Sequence, residues 1–327
     1  MNRIATVCAG GALLLISLAT GPIPVVATTD AAKVELYVLP TVSLTDQQFL
    51  DGRKDGTPAT IAGELRIPRR GTDRLPAMVI VHGSGGILGN EDHWAREFND
   101  LGVATFTIDG FTGRGISSTA ADQEQLGTLT MINDAYRALD ILAKHPRVDA
   151  QRVGILGGSR GGRIALYASL KRFQRFYGTP GLEFAVYLPF YAPCYTKFIG
   201  DEEVTAKPIR LFHGSADEAV PISACKAYVD RLRKRGADVQ LTELANAHHL
   251  FDNPVQPLVK AANAQTFRHC HLEEKPQGQI TNLDTGEPFT FDDGCLERGY
   301  TFGYDAQAHT QVLIEVREIL KRLFHLA

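Results

Sequence analysis

The clearest hydrophobic signal in the chain is the unbroken apolar run at 77–81, Ala-Met-Val-Ile-Val. A strand buried on both faces of a sheet reads this way, because neither face meets water. Further strands are expected at 33–39, 59–67, 103–108, 153–156, 184–188, 209–212 and 239–244. Between them the spacing turns helical. Residues 129–143 carry Ile132, Ala135, Leu139 and Leu142 at helical intervals and stop before Pro146. Residues 163–170 and 223–234 are expected to be helical as well, and 307–324 presents Val312, Val316, Ile319 and Leu323 as an apolar side. Strands alternating with helices predict the α/β class, with a mostly parallel central sheet and helices on both faces. The alternation fails at about 253–302. Polar residues, Pro276 and several glycines there predict an insertion near the end of the core domain rather than a domain of its own.

The start of the chain departs from the pattern differently. Arg3 gives a positive beginning, Ile4 to Leu18 is mostly apolar, Pro22 and Pro24 break the run, and small residues lead up to Ala27. That order predicts a secretory signal peptide at 1–27. A retained membrane anchor or a buried first helix are the competing readings. The run falls short of the roughly 20 uninterrupted apolar residues that span a bilayer, so no stable membrane insertion is expected after cleavage. The remaining 28–327 is then one domain, exported to a periplasm or secreted. Cys8 leaves with the signal, while Cys194, Cys225, Cys270 and Cys295 remain, an even set that predicts disulfides. Of the three connectivities, the expected one joins Cys270 to Cys295 across the insertion and Cys194 to Cys225 between a loop and a helix. Composition narrows the picture by exclusion. A net charge of −3 over 327 residues argues against nucleic acid as a partner.

The chemistry is concentrated where strands end. Gly157-Gly158-Ser159-Arg160-Gly161 lies between the strand at 153–156 and a helix. A G-x-S-x-G pentapeptide in that setting makes a tight turn that holds the serine hydroxyl above the sheet edge, so Ser159 is the candidate nucleophile. His82-Gly83-Ser84-Gly85-Gly86 closes the 77–81 strand. Its amide N–H groups are candidates for an oxyanion hole, Ser84 first and Gly85 second, together with the N–H of Arg160. A dinucleotide site would need glycine where Leu88 stands, and no phosphate-binding G-x-x-x-x-G-K-[ST] run exists. His82 is on the wrong element for a base and is read as orienting its loop. The acid and base should follow the serine in the chain. Asp217 ends the strand at 209–212, with Glu218 as its neighbouring alternative, and one of His248 and His249 follows the strand at 239–244. Arg114 and Arg160 are expected at the same edge, where they either clamp a substrate carboxylate or pair with acids such as Asp109 or Glu218.

Taken together, Val-Ile-Val-His-Gly-Ser-Gly-Gly (79–86), Asp-Gly-Phe-Thr-Gly-Arg-Gly (109–115), the Ser159 turn, His-Gly-Ser-Ala-Asp-Glu-Ala-Val-Pro (213–221) and Ala-His-His-Leu-Phe-Asp (247–252) resemble the dienelactone hydrolase group of α/β-hydrolases. The resemblance runs from about Thr45 to Asp252 and includes the closing helix. It implies the α/β-hydrolase fold and hydrolysis of a small-molecule carboxylic ester. It also selects His249, two residues before Phe251, as the base. The enzyme that names the group has a cysteine nucleophile and is shorter and not exported, so dienelactone itself is not the expected substrate. The implied mechanism is acyl transfer through an acyl-enzyme, with no metal and no cofactor. His269-Cys270-His271 lacks a second ligand cluster at zinc spacing. A serine peptidase on the same fold, or a binding protein that has lost catalysis, are the alternatives.

Overall fold

The computed structural model describes residues 32–326; the expected signal peptide at 1–27 lies outside them. The first strands, β1 (Lys33–Ser43) and β2 (Thr57–Ile67), pair antiparallel along their whole length, with a short helix α1 (Asp46–Leu50) between them. The chain continues through β3 (Leu75–Val81), α2 (Gly89–Asp100), β4 (Ala104–Asp109), α3 (Thr130–Lys144), β5 (Val148–Gly158), α4 (Arg160–Tyr167) and α5 (Lys171–Tyr177). Next come β6 (Val186–Phe190), β7 (Thr196–Lys197), β8 (Ile209–Gly214), α6 (Ile222–Lys234) and β9 (Val239–Leu244). The last elements are β10 (Val259–Thr266), β11 (Leu272–Lys275), β12 (Gln279–Asn282), β13 (Glu297–Phe302) and α7 (Ala306–Phe324).

Eight strands form one sheet in the order β1-β2-β4-β3-β5-β6-β8-β9. Only β2 runs against its neighbours; every other pairing from β4 to β9 is parallel. Side chains alternate across a strand, so β3 feeds two apolar layers at once. Val79 and Val81 join one layer with residues of α3, α4 and α6, while Met78 and Ile80 join the other with α2 and α7. The expected α/β architecture with helices on both faces is what forms. Because the strands are parallel, the loops that follow β3, β4, β5, β6, β8 and β9 all emerge at one sheet edge, where ligands of such folds bind.

The structure corrects the sequence reading in three places. First, 89–100 is a helix that no periodicity announced, with Trp94, Ala95 and Phe98 turned into the core. Second, α4 begins at Arg160 rather than 163. Its first turn carries two glycines, poor helix formers that burial overrides here. Third, the 253–302 stretch contains strands that no alternation announced. Strands β10 and β13 pair antiparallel, and β12 pairs β11, which in turn lies parallel to β7 of the core. Both expected disulfides are present, Cys194–Cys225 and Cys270–Cys295. No helix among the described residues is long and apolar enough to cross a membrane.

Candidate active site

Ser159 stands between β5 and α4 with φ 56° and ψ −119°, a conformation that a residue with a side chain rarely adopts. Strain of this kind costs about 1–3 kcal/mol and persists only where the surroundings impose it. Here they do. The Ser159 N–H donates to the Phe190 carbonyl at 3.0 Å, and the Ser159 carbonyl accepts from the Arg163 N–H at 2.9 Å. A Cβ at Gly161 would run into the Val81 carbonyl, and one at Gly157 would run into Gly161 itself, so the turn closes only with glycine at both positions.

Asp217 follows β8, and His249 follows β9. The His249 Nδ1–H donates to Asp217 Oδ2 at 2.8 Å. The other carboxylate oxygen accepts from the N–H groups of Ala219 and Val220, both at 2.9 Å. Burial alone would push the Asp217 carboxyl up. The neighbouring His249 and hydrogen bonds from His213 and His249 outweigh that and hold it well below the usual carboxylate range. The acid is therefore a fixed anion that orients one imidazole nitrogen. Glu218 turns away and accepts from the Thr301 N–H, so Asp217 is the residue that meets the histidine. Of the paired histidines, His249 rather than His248 makes this contact.

A layer behind the histidine escaped the sequence reading. The Tyr191 ring lies 4.6 Å from that of His249, and its hydroxyl donates to Asp252 at 2.7 Å. Trp94 donates to the other Asp252 oxygen at 2.7 Å. Asp252 closed the Ala-His-His-Leu-Phe-Asp stretch, but nothing in the sequence linked it to Tyr191 or Trp94.

The loop after β3 lies against the serine turn. His82 is buried; its Nδ1 donates to the Gly83 carbonyl at 2.8 Å and its Nε2 accepts from the Gly110 N–H at 3.1 Å. Burial pushes its pKa down, consistent with this neutral form and with a role in orienting the loop. Ser84 and Arg160 both line the cavity that opens at Ser159. Gln123 joins them: its Nε2 donates to Ser84 Oγ at 2.9 Å, and its Oε1 accepts from Arg160 Nη2 at 2.8 Å.

That cavity, about 280 Å³, holds Ser159 and His249 at one end. The 253–302 segment adds Phe267, Phe289, Phe291 and Tyr300 to its lining, with the Tyr300 ring centre 5.7 Å from that of His249. The segment is tied down from several sides. Thr266 donates to the Ala219 carbonyl at 2.7 Å, and Gln265 accepts from the Gln123 N–H at 2.7 Å. Arg163, which sequence reasoning passed over, lines the same space. It stands one helical turn beyond Arg160, a spacing that puts both on one face.

Arg114 corrects an expectation. It does not line this cavity. Its guanidinium grips Asp134 through Nη1 at 2.8 Å and Nη2 at 3.1 Å, and it also donates to Ser43 and to the Gly110 carbonyl. It ties β1, α3 and the loop after β4 together, and has no donor left for a substrate carboxylate beside Arg160. Cys270, half of a disulfide, is flanked by His269 and His271, which face Glu297 and Asp284 respectively.

Comparisons with known proteins bear on the family and the fold. The sequence pattern of the dienelactone hydrolase family matches residues 61–272. A dipeptidyl peptidase family member 1 from Caenorhabditis elegans is 26% identical over 233 residues. The match covers 62% of this chain but only 28% of that protein, so the chain spans less than a third of its relative. Among solved structures, a dienelactone hydrolase-like promiscuous phosphotriesterase from metagenomic libraries aligns with a TM-score of 0.55 at 19% identity, covering 88% of this chain and 99% of the other. Thermogutta terrifontis esterase 2 phosphorylated by paraoxon aligns with a TM-score of 0.52 at 15% identity, covering 89% and 95%. At these identities the likeness speaks to the fold, which is that of the α/β-hydrolases.

Proposed function

The chain belongs to the dienelactone hydrolase family, and from that premise we propose that it hydrolyses carboxylic esters through Ser159, His249 and Asp217. The observation that carries the reading is the strained Ser159 backbone at the mouth of a cavity that also contains His249, itself hydrogen-bonded to a buried anionic Asp217. In this mechanism His249 Nε2 takes the Ser159 proton as Oγ attacks the ester carbonyl. Asp217 holds the Nδ1–H tautomer and stabilises the imidazolium that forms. The amides of Ser84 and Arg160 receive the oxyanion; neither N–H has an acceptor among the described residues. The imidazolium protonates the leaving alcohol, an acyl-enzyme remains, and water repeats the sequence to release the acid.

We read the chain as exported, a reading that the two disulfides support. A peptidase reading draws on the 26% identity to the dipeptidyl peptidase and is separated by a peptidyl anilide substrate. The deciding experiment is labelling with a fluorophosphonate followed by peptide mapping. Modification at Ser159, with both labelling and esterase activity lost in Ser159→Ala, is expected. Labelling at Ser84 or Ser215 instead sinks the assignment.

A further inference from the structure

The cavity at Ser159 contains more positive charge than its own walls neutralise. Arg160 and Arg163 are 2% and 8% exposed. All their hydrogen-bond acceptors among the described residues are neutral: the Leu126 and Gln123 carbonyls and Gln123 Oε1 for Arg160, and Thr196 Oγ1 for Arg163. The Nε of each is buried with no partner among the described residues. Among the lining residues described, the one carboxylate is Asp46, one of whose oxygens already accepts from the Leu129 N–H at 2.8 Å. Two buried guanidinium groups thus face a single lining carboxylate, an arrangement that costs free energy unless a further anion enters. Burial pushes the Arg160 guanidinium down to about 10, against the pull of Asp46 and reinforced by Arg163.

The cavity is also lined by aromatic rings. Tyr195 stacks on Phe267 with ring centres 5.4 Å apart, and Phe289 and Phe291 stand at the edge of Phe267, 6.0 and 6.1 Å away. The Arg163 guanidinium lies 5.0 Å from the Tyr195 ring centre. A substrate's aromatic ring finds like surface here, and a carboxylate on that ring suits planar guanidinium groups that keep donors to spare.

We propose that Arg160 and Arg163 hold an anionic group of the substrate, and that the favoured substrate is an aryl ester bearing a carboxylate on its aromatic part. The inference rests on the ester-hydrolase reading of Ser159, and its test separates the two. Two matched pairs are measured: methyl benzoate against monomethyl terephthalate, with the carboxylate on the acyl side, and phenyl acetate against 4-carboxyphenyl acetate, with it on the leaving group. In wild type at least one pair should favour the anionic ester in kcat/KM by about tenfold or more, as expected for a charge-assisted hydrogen bond. Arg163→Gln should bring that ratio close to one, mainly through a higher KM for the anionic ester, and Arg163→Lys should restore part of it. The ratio is internal to each preparation, so a partly misfolded variant does not distort it. Neutral esters turned over with both ratios at one or below overturn the subsite, as does a ratio unchanged in Arg163→Gln. No turnover of any of the four esters overturns the ester-hydrolase reading, and the subsite with it.

Discussion

His249 and Asp217 meet at 2.8 Å across the loops that follow two neighbouring parallel strands, β9 and β8. The contact is buried, and the second Asp217 oxygen is occupied by two backbone amides. Asp217→Asn preserves that amide contact but offers His249 the wrong partner for its Nδ1–H tautomer. It should lower kcat by about 10³–10⁴ while leaving the fold intact. Ester turnover alongside a circular-dichroism melt checks this; a loss below tenfold would remove Asp217 from the mechanism.

The histidine assignment has its own test. His249→Ala should abolish ester turnover, whereas His248→Ala should only reduce it. Steady-state kinetics of the two variants on one aryl ester suffice, and the opposite ranking would move the base by one residue.

Arg114 is expected to matter for stability rather than substrate choice. Its pair with Asp134 is almost wholly buried, with side chains 3% and 0% exposed. Removing one partner strands the other charge, so Arg114→Ala should destabilise by about 3–5 kcal/mol. Chemical denaturation measures that loss. The preference between anionic and neutral esters should stay at its wild-type value.

Glu91 predicts a pH dependence of stability. Its side chain accepts from the Leu88 N–H at the start of α2, and burial pushes its carboxyl up to about 8. The folded chain therefore keeps a proton that the unfolded chain gives up near pH 4.5. Ionisation favours the unfolded state as pH rises from about 4.5 to about 8, so stability falls across that window at up to about 1.4 kcal/mol per pH unit and levels off above it. Glu91→Gln, which keeps the acceptor and removes the titration, should flatten the decline. Urea melts at pH 5 and pH 8 provide the comparison, and equal slopes for both proteins would refute it.

The Cys270–Cys295 bridge spans 25 residues of the 253–302 segment. Replacing both cysteines by serine should cost about 3 kcal/mol in the chain-entropy model. Since the segment carries the aromatic wall, KM for aryl esters should rise more than kcat falls. Thermal melts and kinetics of the double variant decide it.

The parts of the site that were legible in the sequence share one property: they are local. Glycines at 157 and 161 around Ser159, directly after an apolar run, carry their geometry within a few residues. Asp217 and His249 likewise close runs that read as strands. Arg114 and Arg160 could be placed at one edge, but which acid each would meet depends on packing between distant elements. Asp134, on α3, lies 20 residues from Arg114 and joins it only through the fold. The segment after β9 was opaque for a related reason. Its strands are partly exposed and two of them have only four residues, so they lack the apolar period that marks a core strand, and β11 finds its place by pairing with the two-residue β7. Helix α2 hid because Asn90, Glu91 and Asn99 are polar yet buried, which blurs its apolar stripe.

Much of the cavity's aromatic lining is carried on one continuous stretch that leaves the core after β9 and rejoins it just before α7. The residues proposed to break the bond, and the two arginines beside them, thus belong to the core, whereas much of the aromatic lining is written on a separate length of polypeptide. Exchanging 259–302 for a stretch of different length or polarity would redraw the guest space while the strands that aim Ser159, Asp217 and His249 stay as they are. A chain organised this way can change its diet without rebuilding its teeth, with the parallel sheet as the fixed jaw.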